Sequence, residues 1–396
     1  MPTDQLIAQS HKYIMNTYTR LPVVLVRGEG VRVWDSDGRE YLDFLSGIAV
    51  CSLGHSHPRV VEAIRRQAGI LTHVSNIYHI EPQIDLARML VERSFADKVF
   101  FCNSGAEANE AAIKLARKYG SEKGGGNRHE IIAMKDSFHG RTLTTVTATG
   151  QEKFQRGFEP LPGGFRHVPF NDLAAVEEVL SDRTCAVMVE PIQGEGGINI
   201  PSTGYLKGLR KLCDEREILL IFDEVQTGMG RTGDLFAYEQ SGVSPDVMTL
   251  AKALGNGFPL GAMLARDETA SALGPGSHAS TFGGNPLAMA AGIAVMETIF
   301  QDGILDNCRN MGAYFLERLE DMKKRHALIR VIRARGLMIG VELSLEGGDI
   351  VRECLKKGLL INCTCGNVLR FVPPLIVTRD DIDKAIEILD EVMDRQ

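Results

Sequence analysis

The chain has 396 residues, of which 44% are hydrophobic and 24% are charged, and its formal net charge at pH 7 is -7. This length exceeds what one hydrophobic core usually organises, so we expect one large domain and one smaller domain. The acidic balance gives no sign of affinity for nucleic acid or anionic membranes, so we expect small-molecule partners.

The first 50 residues are typical of a helix followed by a β-meander. After an amphipathic opening helix come three short β-like runs, VVLV, VRVW and EYLDF. They are separated by RGEG and DSDG, which are turn signals of the glycine and Asp-Gly kind. We predict that this segment, 1–50, packs with the small domain. It lacks the layout of a signal peptide, and no apolar stretch of the chain is long enough to span a bilayer, so we expect a cytoplasmic protein.

From His57 onward, helical patterns alternate with short apolar runs. This alternation predicts an α/β fold with a mainly parallel sheet, covered by helices on both faces, in a large domain over residues 51–300. Chemistry is expected at the carboxyl ends of its strands. A long helix, three strands and a closing helix then predict a smaller α+β domain over residues 301–396. The candidate strands of the large domain are KVFFC, EIIAM, CAVMVE, ILLIFD, DVMTLA and GAMLA.

Two strand ends of the large domain carry groups suited to an anion and to a flat ring. The run KVFFCN leads to Ser104, Gly105 and Ala106 at the start of a helix, whose free N–H groups and dipole favour a phosphate. The alternative is that Ser104 only caps the helix. After EIIAM, Phe138 is suited to stack on a flat cofactor, and Arg141 to bind a carboxylate. A core position for Phe138 and a surface ion pair for Arg141 are the simpler interpretations when each is taken alone.

The next two strand ends carry opposite charges. ILLIFD places Asp223 and Glu224 after five apolar residues, where an unpaired carboxylate is costly to bury. A cofactor ring nitrogen that a carboxylate keeps protonated is one candidate partner, and an internal salt bridge is the other. DVMTLAK places Lys252 at a further strand end. A partly desolvated lysine loses its proton more easily and becomes the nucleophilic amine that Schiff-base chemistry requires.

These strand ends together predict one cofactor site, although a competing pattern exists. Gly228, Gly230 and Gly233 in GMGRTG match the dinucleotide fingerprint and would favour a nicotinamide-dependent oxidoreductase. Asp223 and Glu224 intervene between the strand and these glycines, and no convincing helix opens at the third glycine, so we discount this reading. The eight cysteines form no C-x-x-C pair and no zinc-ligand spacing, so we expect free thiols and no metal site.

Eight stretches of the chain resemble class III, fold type I pyridoxal-phosphate (PLP) aminotransferases. They cover nearly the whole chain in the order and spacing of that family. The resemblance implies the fold type I architecture, PLP as the cofactor, and a reversible ping-pong transfer of an amino group. The stretches are LGHSHP, NSGAEANEAAIKLAR, SFHGRT, VEPIQGEGG, IFDEVQTGMGRTG, LAKALGNGFPLGAM, STFGGNP and LRFVPPL.

The resemblance also implies how the cofactor is held. Lys252 would carry PLP as a Schiff base and, once freed, would move a proton between the substrate and the cofactor. Further implied contacts are Asp223 at the ring nitrogen, Gln226 at the ring hydroxyl, Val225 and Phe138 at the two ring faces, and Ser104, Gly105 and Ala106 at the phosphate.

A second implication concerns the neighbouring subunit and the substrates. Thr281 would reach the phosphate of the neighbouring subunit's site, which implies a homodimer with active sites at its interface. Arg141 would bind the substrate α-carboxylate, with Ser280 nearby. Arg370 would pair with Glu195 in one half-reaction and would bind the carboxylate of glutamate or 2-oxoglutarate in the other.

The amino donor is inferred from the substrate-entry stretches. SGIAVCSLGHSHP and LTHVSNIYH are most similar to the acetylornithine aminotransferases of arginine biosynthesis, which implies N2-acetyl-L-ornithine as donor and 2-oxoglutarate as acceptor. Ile48 stands where ornithine aminotransferases usually carry an aromatic residue, whereas Tyr18 falls where some of them place a substrate-contacting tyrosine. Ornithine, 4-aminobutyrate and N-succinyl-diaminopimelate stay open as donors. A non-catalytic PLP-binding relative is a further alternative, but Lys252 is present and no DNA-binding appendage exists.

Overall fold

The computed structural model describes residues 2–395. Its strands, in chain order, are β1 Leu25–Glu29, β2 Arg32–Asp35, β3 Glu40–Asp43, β4 Lys98–Cys102, β5 Glu130–Met134, β6 Phe165–Val168, β7 Thr184–Val189, β8 Leu219–Asp223, β9 Val247–Leu250, β10 Gly261–Ala265, β11 Ile329–Arg335, β12 Met338–Leu343, β13 Leu359–Leu360, β14 Asn362–Thr364 and β15 Val368–Phe371.

Helices lie between and around these strands. No single helix in residues 2–395 has the length and apolar character needed to cross a membrane, although Pro286–Gln301 and Ile304–Lys323 meet that test as a pair bent by 67°. The α-helices are Thr3–Tyr13, Pro58–Ala68, Glu81–Val91, Gly105–Lys123, Leu143–Ala148, Glu152–Gln155, Leu173–Val179, Tyr205–Arg216, Tyr238–Ser241, Asp267–Ala270, Pro286–Gln301, Ile304–Lys323, Gly348–Lys356 and Arg379–Met393, and Lys252–Leu254 is a 3₁₀ turn.

A seven-stranded sheet forms the centre of the molecule, in the order β4-β10-β9-β8-β7-β5-β6. The pairs from β9 to β6 are parallel, which confirms the predicted mainly parallel sheet. GAMLA is a strand, β10, as predicted, but the expectation of chemistry at its carboxyl end was wrong, because β10 is antiparallel to both of its neighbours. Only residues 251–260 connect β9 to β10, which is too short for the crossover that a parallel pair needs. The amino end of β10, and not its carboxyl end, therefore lies beside the carboxyl ends of the other strands.

Alternate residues of the central strands pack against helices on opposite faces of the sheet. In β8, Leu219 and Ile221 belong to the same cluster as the helix Gly105–Lys123. Leu220 and Phe222 belong to the main cluster with Leu209 of the helix Tyr205–Arg216. Every residue of β8 is buried, because both faces are covered. This burial explains why the strands were recognisable as uninterrupted apolar runs.

Two four-stranded sheets flank the central one. The N-terminal meander β1-β2-β3 is confirmed, and it is extended by β13 of the C-terminal region, which runs parallel to β3. The other sheet has the order β11-β12-β15-β14 and is antiparallel throughout. The strands β6, β13 and β14 and the helix Gly348–Lys356 were not predicted. The domain boundaries at residues 50 and 300 stay a prediction.

The chain makes a left-handed turn immediately after the meander. Its four residues have positive φ angles, 47° at Ser46, 65° at Gly47, 66° at Ile48 and 60° at Ala49. A left-handed conformation costs about 1–2 kcal/mol for each residue with a side chain, so the surrounding contacts have to hold it. The hydroxyl of Ser46 donates to the carbonyl oxygen of Val372 at 2.6 Å, which ties the turn to the C-terminal region.

Candidate active site

A cavity of about 390 Å³ lies at the carboxyl ends of β4, β5, β7, β8 and β9. It is also lined by Val50, just after the left-handed turn, and by Pro259 and Leu260 at the amino end of β10. Glu195, Ser280, Thr281 and Arg370, although predicted for the site, do not line it. The predicted residues that do line the cavity are Ser104, Gly105, Ala106, Phe138, Arg141, Asp223, Val225, Gln226 and Lys252.

The helix Gly105–Lys123 begins at the cavity with an N-cap. The hydroxyl oxygen of Ser104 accepts a hydrogen bond from the backbone N–H of Glu107 at 3.2 Å. Gly105 packs closely against Val225, because an added Cβ would lie 2.8 Å from that side chain. The capping role of Ser104 is therefore present, and the first backbone N–H groups of the helix still face the cavity as an anion-binding position.

Asp223, at the end of β8, is held by three donors. Its Oδ2 is 2.7 Å from Nδ1 of His139 and accepts from Nδ2 of Asn109 at the same distance, and its Oδ1 accepts from the N–H of Val225 at 3.0 Å. Burial disfavours a charged imidazole, but the hydrogen bond and charge of Asp223 outweigh it, so the pKa of His139 is raised. His139 and Asn109 therefore hold the carboxylate of Asp223 in place where it lines the cavity.

Glu224, the next residue, points away from the cavity. Its oxygens accept from the backbone N–H groups of Ala237 at 2.7 Å and Tyr238 at 2.8 Å, and from the hydroxyl of Thr227 at 3.1 Å. Burial raises the pKa of Glu224 to about 7. Of the two adjacent carboxylates that the sequence placed at this strand end, Asp223 alone meets a cationic partner.

Lys252 lies two residues after the end of β9, has a φ of 45° and lines the cavity. Among residues 2–395, no carboxylate lies within salt-bridge distance of its amino group. Burial lowers the pKa of Lys252, although the charge of Glu195 opposes this shift. A larger fraction of neutral amine makes Lys252 a better nucleophile than an exposed lysine.

Phe138 and Arg141 follow β5 on one loop. The backbone N–H of Phe138 donates to Oε2 of Glu190 at 3.1 Å, which fixes the loop against the end of β7. Arg141 is exposed, and it forms no salt bridge among residues 2–395, so the predicted surface ion pair is absent from the described part of the chain. Its guanidinium lies against aromatic rings. A free cation at the mouth of the cavity is available to a carboxylate ligand.

Glu195 and Arg370 form a direct pair, as expected. Nη1 of Arg370 donates to Oε1 of Glu195 at 2.5 Å and to Oε1 of Gln226 at 3.3 Å, and its Nε donates to Oδ1 of Asn362 at 3.1 Å. Arg370 is fully buried, whereas 26% of the Glu195 side chain is exposed. Burial acts to raise the pKa of Glu195, but the adjacent Arg370 outweighs it and lowers that pKa. Nη2 of Arg370 is buried without a partner among the described residues.

Two further predicted contacts, Ser280 and Thr281, lie outside the cavity, as do Ile48 and Tyr18, which bear on the choice of amino donor. The hydroxyl oxygen of Ser280 accepts hydrogen bonds from Nδ2 of Asn103 at 3.2 Å and from the backbone N–H of Gly283 at 3.0 Å. Thr281 is exposed, which is compatible with a contact to another subunit. Ile48, on the left-handed turn, is 39% exposed, and Tyr18 is 71% exposed. The predicted roles of these residues stay untested by the geometry of one chain.

In the glycine-rich loop GMGRTG, side chains of neighbouring residues lie close to the glycines, where a Cβ would crowd them. The loop also contains a buried arginine. A Cβ at Gly230 would lie 3.0 Å from the side chain of Leu305, and one at Gly233 would lie 2.8 Å from that of Arg309. Arg231 is fully buried between them. In residues 2–395 no helix starts at Gly233, so the loop lacks the helix terminus that binds a dinucleotide phosphate.

Sequence reasoning missed several residues that hold the predicted ones. His139 and Asn109 support Asp223, Asn362 supports Arg370, and Glu190 accepts N–H groups from the loops of Phe138 and Gly194. Burial raises the pKa of Glu190 to about 7. Glu190 ends the run CAVMVE as Asp223 ends ILLIFD, so the same strand-end argument could have identified it.

The residues at the cavity fit PLP. A helix N-terminus suits its phosphate, the buried carboxylate of Asp223 suits its ring nitrogen, and an amine of lowered pKa suits its aldehyde.

Comparisons with known proteins agree with this fit. The profile of the family described as Aminotransferase class-III matches residues 13–393. The chain is 58% identical to an acetylornithine aminotransferase of Caldanaerobacter subterraneus subsp. tengcongensis, over 98% of this chain and 99% of that one. It is 55% identical to that of Methanocaldococcus jannaschii, over 99% and 98%. A crystal structure of the ornithine aminotransferase from Toxoplasma gondii ME49 superposes with a TM-score of 0.96 and 36% identity, covering 100% of this chain and 96% of that one.

Proposed function

Because the chain belongs to the class-III aminotransferase family and is a PLP-dependent transaminase of fold type I, we propose that it transfers the terminal amino group of N2-acetyl-L-ornithine to 2-oxoglutarate. Both curated relatives described above are acetylornithine aminotransferases that match this chain over nearly its full length. The same donor assigns the enzyme to arginine biosynthesis, which we propose takes place in the cytoplasm.

One observation carries this proposal, the pairing of Arg370 with Glu195. A terminal primary amine has no carboxylate on its reacting carbon, whereas 2-oxoglutarate has one beside its keto group. Both charges of the pair act electrostatically on Lys252, so the pair lies near the reacting position. The closed pair suits the amine donor, and release of Glu195 frees Arg370 for the carboxylate of the keto acid. One pocket thereby serves two different substrates.

The remaining residues are proposed to bind and to move protons. When bound, PLP supplies an aldehyde that exchanges with amines and a ring that withdraws electrons from the reacting carbon. Asp223, held in place by His139, would pair with the ring nitrogen. Nζ of Lys252 bears the cofactor and then carries a proton to and from the reacting carbon. Arg141 binds the α-carboxylate of N-acetylornithine or the distal carboxylate of 2-oxoglutarate.

We also propose a homodimer whose partner supplies Thr281 to the phosphate. Large apolar side chains are exposed beside that segment, with Phe282 at 61%, Ile77 at 79% and Tyr78 at 64%. Nδ2 of Asn76 donates to the carbonyl oxygen of Gly283 at 2.8 Å, which joins the two exposed stretches into one surface. A contiguous apolar surface of this kind supports association with a second copy.

A second candidate donor is ornithine. It is favoured by the likeness to the Toxoplasma gondii ornithine aminotransferase, but the identity of 36% is well below the 58% of the curated relative. 4-Aminobutyrate and N-succinyl-diaminopimelate are the further donors to compare. All of them require the same cofactor site.

The test is the visible spectrum of the purified holoenzyme before and after addition of each amine alone. We expect N-acetylornithine to bleach the visible band with the highest efficiency, and 2-oxoglutarate to restore it. A stronger response to ornithine would replace the proposed donor and leave the chemistry in place. Lys252→Ala is expected to abolish turnover, whereas Lys207→Ala, at an exposed lysine outside the site, leaves it unchanged. Full activity of Lys252→Ala would remove Lys252 from the mechanism.

A further inference from the structure

We propose that Phe154 is a positioning residue, which holds the guanidinium of Arg141 ready for a substrate carboxylate without neutralising its charge. This inference rests on the proposed function, in which Arg141 binds that carboxylate. Phe154 does not line the cavity, and nothing in the sequence patterns assigned it a role. The inference therefore adds a residue that acts on the substrate only through Arg141.

Two aromatic rings form a corner in which Arg141 lies. Its Cζ is 3.9 Å from the ring centroid of Phe154 and 5.6 Å from that of Phe138. The two rings stand at 86° to each other, with their centroids 5.7 Å apart. A guanidinium within about 6 Å of a ring centroid is attracted by the negative face of the ring, and 3.9 Å is direct stacking contact. Phe154 is therefore the closer of the two rings that orient the guanidinium.

The position of Phe154 is itself fixed by the backbone. It belongs to the short helix Glu152–Gln155, and the side-chain amide of Gln155 donates to the carbonyl oxygen of Thr149 at 2.8 Å and to that of Val146 at 3.2 Å. These bonds attach the short helix to the end of the helix Leu143–Ala148, whose N-cap is Thr142, the residue after Arg141. The backbone and the side chain of Arg141 are thus positioned by the same unit.

A ring has an advantage over a carboxylate as the neighbour of a ligand-binding arginine. No carboxylate within residues 2–395 forms a salt bridge with Arg141, so a substrate carboxylate has no internal competitor there. The amino group of Lys153 lies 4.8 Å from the same ring centroid and adds positive charge at the mouth of the cavity. The arrangement orients Arg141 and keeps the local potential favourable for an anion.

The main alternative is that Phe154 only packs against Phe138 and so supports the cofactor. The two roles differ in what they predict for a donor without a carboxylate. Loss of cofactor support would affect every donor and the affinity for PLP. Loss of guanidinium positioning would affect only ligands that bear the carboxylate.

The experiment compares Phe154→Leu, which keeps an apolar side chain but removes the ring, with Phe154→Tyr, which keeps the ring. The donors are N-acetylornithine and N-acetyl-1,4-diaminobutane, which is the same amine without the carboxylate. We expect Phe154→Leu to raise the KM for N-acetylornithine about two- to five-fold, the range of an exposed cation–π contact, with little change in kcat. The second donor, the PLP affinity and the Phe154→Tyr variant are expected to change little. Phe158→Leu is the matched control, since Phe158 is exposed on the same segment.

A double-mutant cycle completes the test with N-acetylornithine alone. In an Arg141→Ala background, Phe154→Leu should have no further effect on KM, because its action passes through the guanidinium. Equal losses for both donors, or an undiminished effect in that background, would overturn the inference. If Arg141→Ala itself leaves donor binding unchanged, or if N-acetylornithine does not bleach the wild-type band, the proposed function fails instead.

Discussion

Two arginines of this chain are fully buried, and they are held in opposite ways. Arg231, in the loop GMGRTG, donates to the carbonyl oxygens of Leu337 at 3.0 Å and Pro373 at 2.6 Å, and to the hydroxyl of Ser52 at 3.1 Å. Within residues 2–395, no carboxylate forms a salt bridge with it. Arg370, in β15, is held by the carboxylate of Glu195 and by side-chain amide oxygens.

The two arginines differ in whether their hydrogen-bond acceptors can move away. Carbonyl groups of the backbone cannot turn away, so Arg231 is a permanent link between three distant segments. Burial lowers the pKa of Arg231 to about 10, which still leaves it protonated at neutral pH. Glu195 is partly exposed, and we propose that its carboxylate exchanges with a substrate carboxylate. One buried arginine therefore serves stability, and the other is proposed to serve binding.

The largest effect on stability is expected at Arg231. Arg231→Met leaves two buried carbonyl oxygens and a hydroxyl without their donor, at roughly 1–3 kcal/mol for each unsatisfied group, so we expect a loss of at least about 3 kcal/mol in the free energy of unfolding. Urea denaturation measures this loss. Arg330→Met, at an exposed arginine in β11, is the control and should change the midpoint little. Equal stability of the two variants would contradict the assigned role of Arg231.

Arg370→Met should affect the reaction more than the stability, which is the reverse of the expectation for Arg231→Met. We expect the half-reaction with glutamate to lose about 2–5 kcal/mol of transition-state stabilisation, because a buried cation for its carboxylate is removed. The free energy of unfolding should change less than in Arg231→Met, since Glu195 can turn towards solvent. Single-turnover kinetics with glutamate and with N-acetylornithine separate the two half-reactions. A larger loss with N-acetylornithine would reverse the proposed assignment.

We expect His55 to make a pH-dependent contribution to the free energy of unfolding. Its Nε2 lies 2.7 Å from Oδ2 of Asp43, the residue whose other oxygen accepts the N–H groups of Leu45 and Ser46. The hydrogen bond to Asp43 raises the pKa of His55 from 6.5 to about 10. Because the folded-state pKa is the higher one, this stabilisation is complete below pH 6.5 and declines as the pH rises towards 10.

The stability difference between the wild type and His55→Gln measures this contribution. We expect about 2 kcal/mol at pH 6, a typical value for a hydrogen bond to a charged group, and a smaller difference at pH 9.5. Thermal or urea unfolding at both pH values provides the comparison. A difference that grows with pH would contradict the raised pKa.

The smallest effect is expected for Glu195→Gln, which weakens the partner of Arg370 but keeps its shape. The KM for 2-oxoglutarate should fall and the KM for N-acetylornithine should rise, each roughly five-fold, which corresponds to about 1 kcal/mol of binding free energy. The reason is that residue 195 then pairs less strongly with Arg370. Steady-state kinetics over both substrates measure the two constants. A parallel change in both would argue against exchange at this pair.

Much of the fold and of the site followed from the strand-end positions. The strands that precede Phe138 and Lys252, and the strand that ends in Asp223, are buried throughout, so their sequences are apolar runs whose ends are easy to locate. In β4, which precedes Ser104, only the last two residues are buried, but the run is apolar after Lys98. The structure brings the residues after these runs to one cavity. Their chemical roles stay predictions, whereas the class of fold and the family are established.

The features that could not be predicted from the sequence depend on contacts between segments that are far apart in the chain. His139 and Asn109 reach Asp223 from 84 and 114 positions away, and no local pattern reports such a contact. The reversed direction of β10 depends on the length of its connection to β9, which a list of apolar runs does not weigh. Arg231 was hidden inside a pattern that resembled a dinucleotide fingerprint, and its burial became clear only from the packing around it.

The bond from Ser46 to Val372 spans 326 positions of the chain, which has a consequence for synthesis on the ribosome. β3 likewise receives its neighbour β13 only near the end of translation. While the nascent chain grows, the meander and the left-handed turn lack these two C-terminal contacts, so we expect the wall of the cavity at Val50 to form after the central sheet. Contacts between such distant segments form slowly. A ribosome-bound chain that already contains Lys252 and Asp223 would therefore still lack a closed site, and premature termination shortly before Val372 would yield a protein with every predicted cofactor contact and no stable pocket.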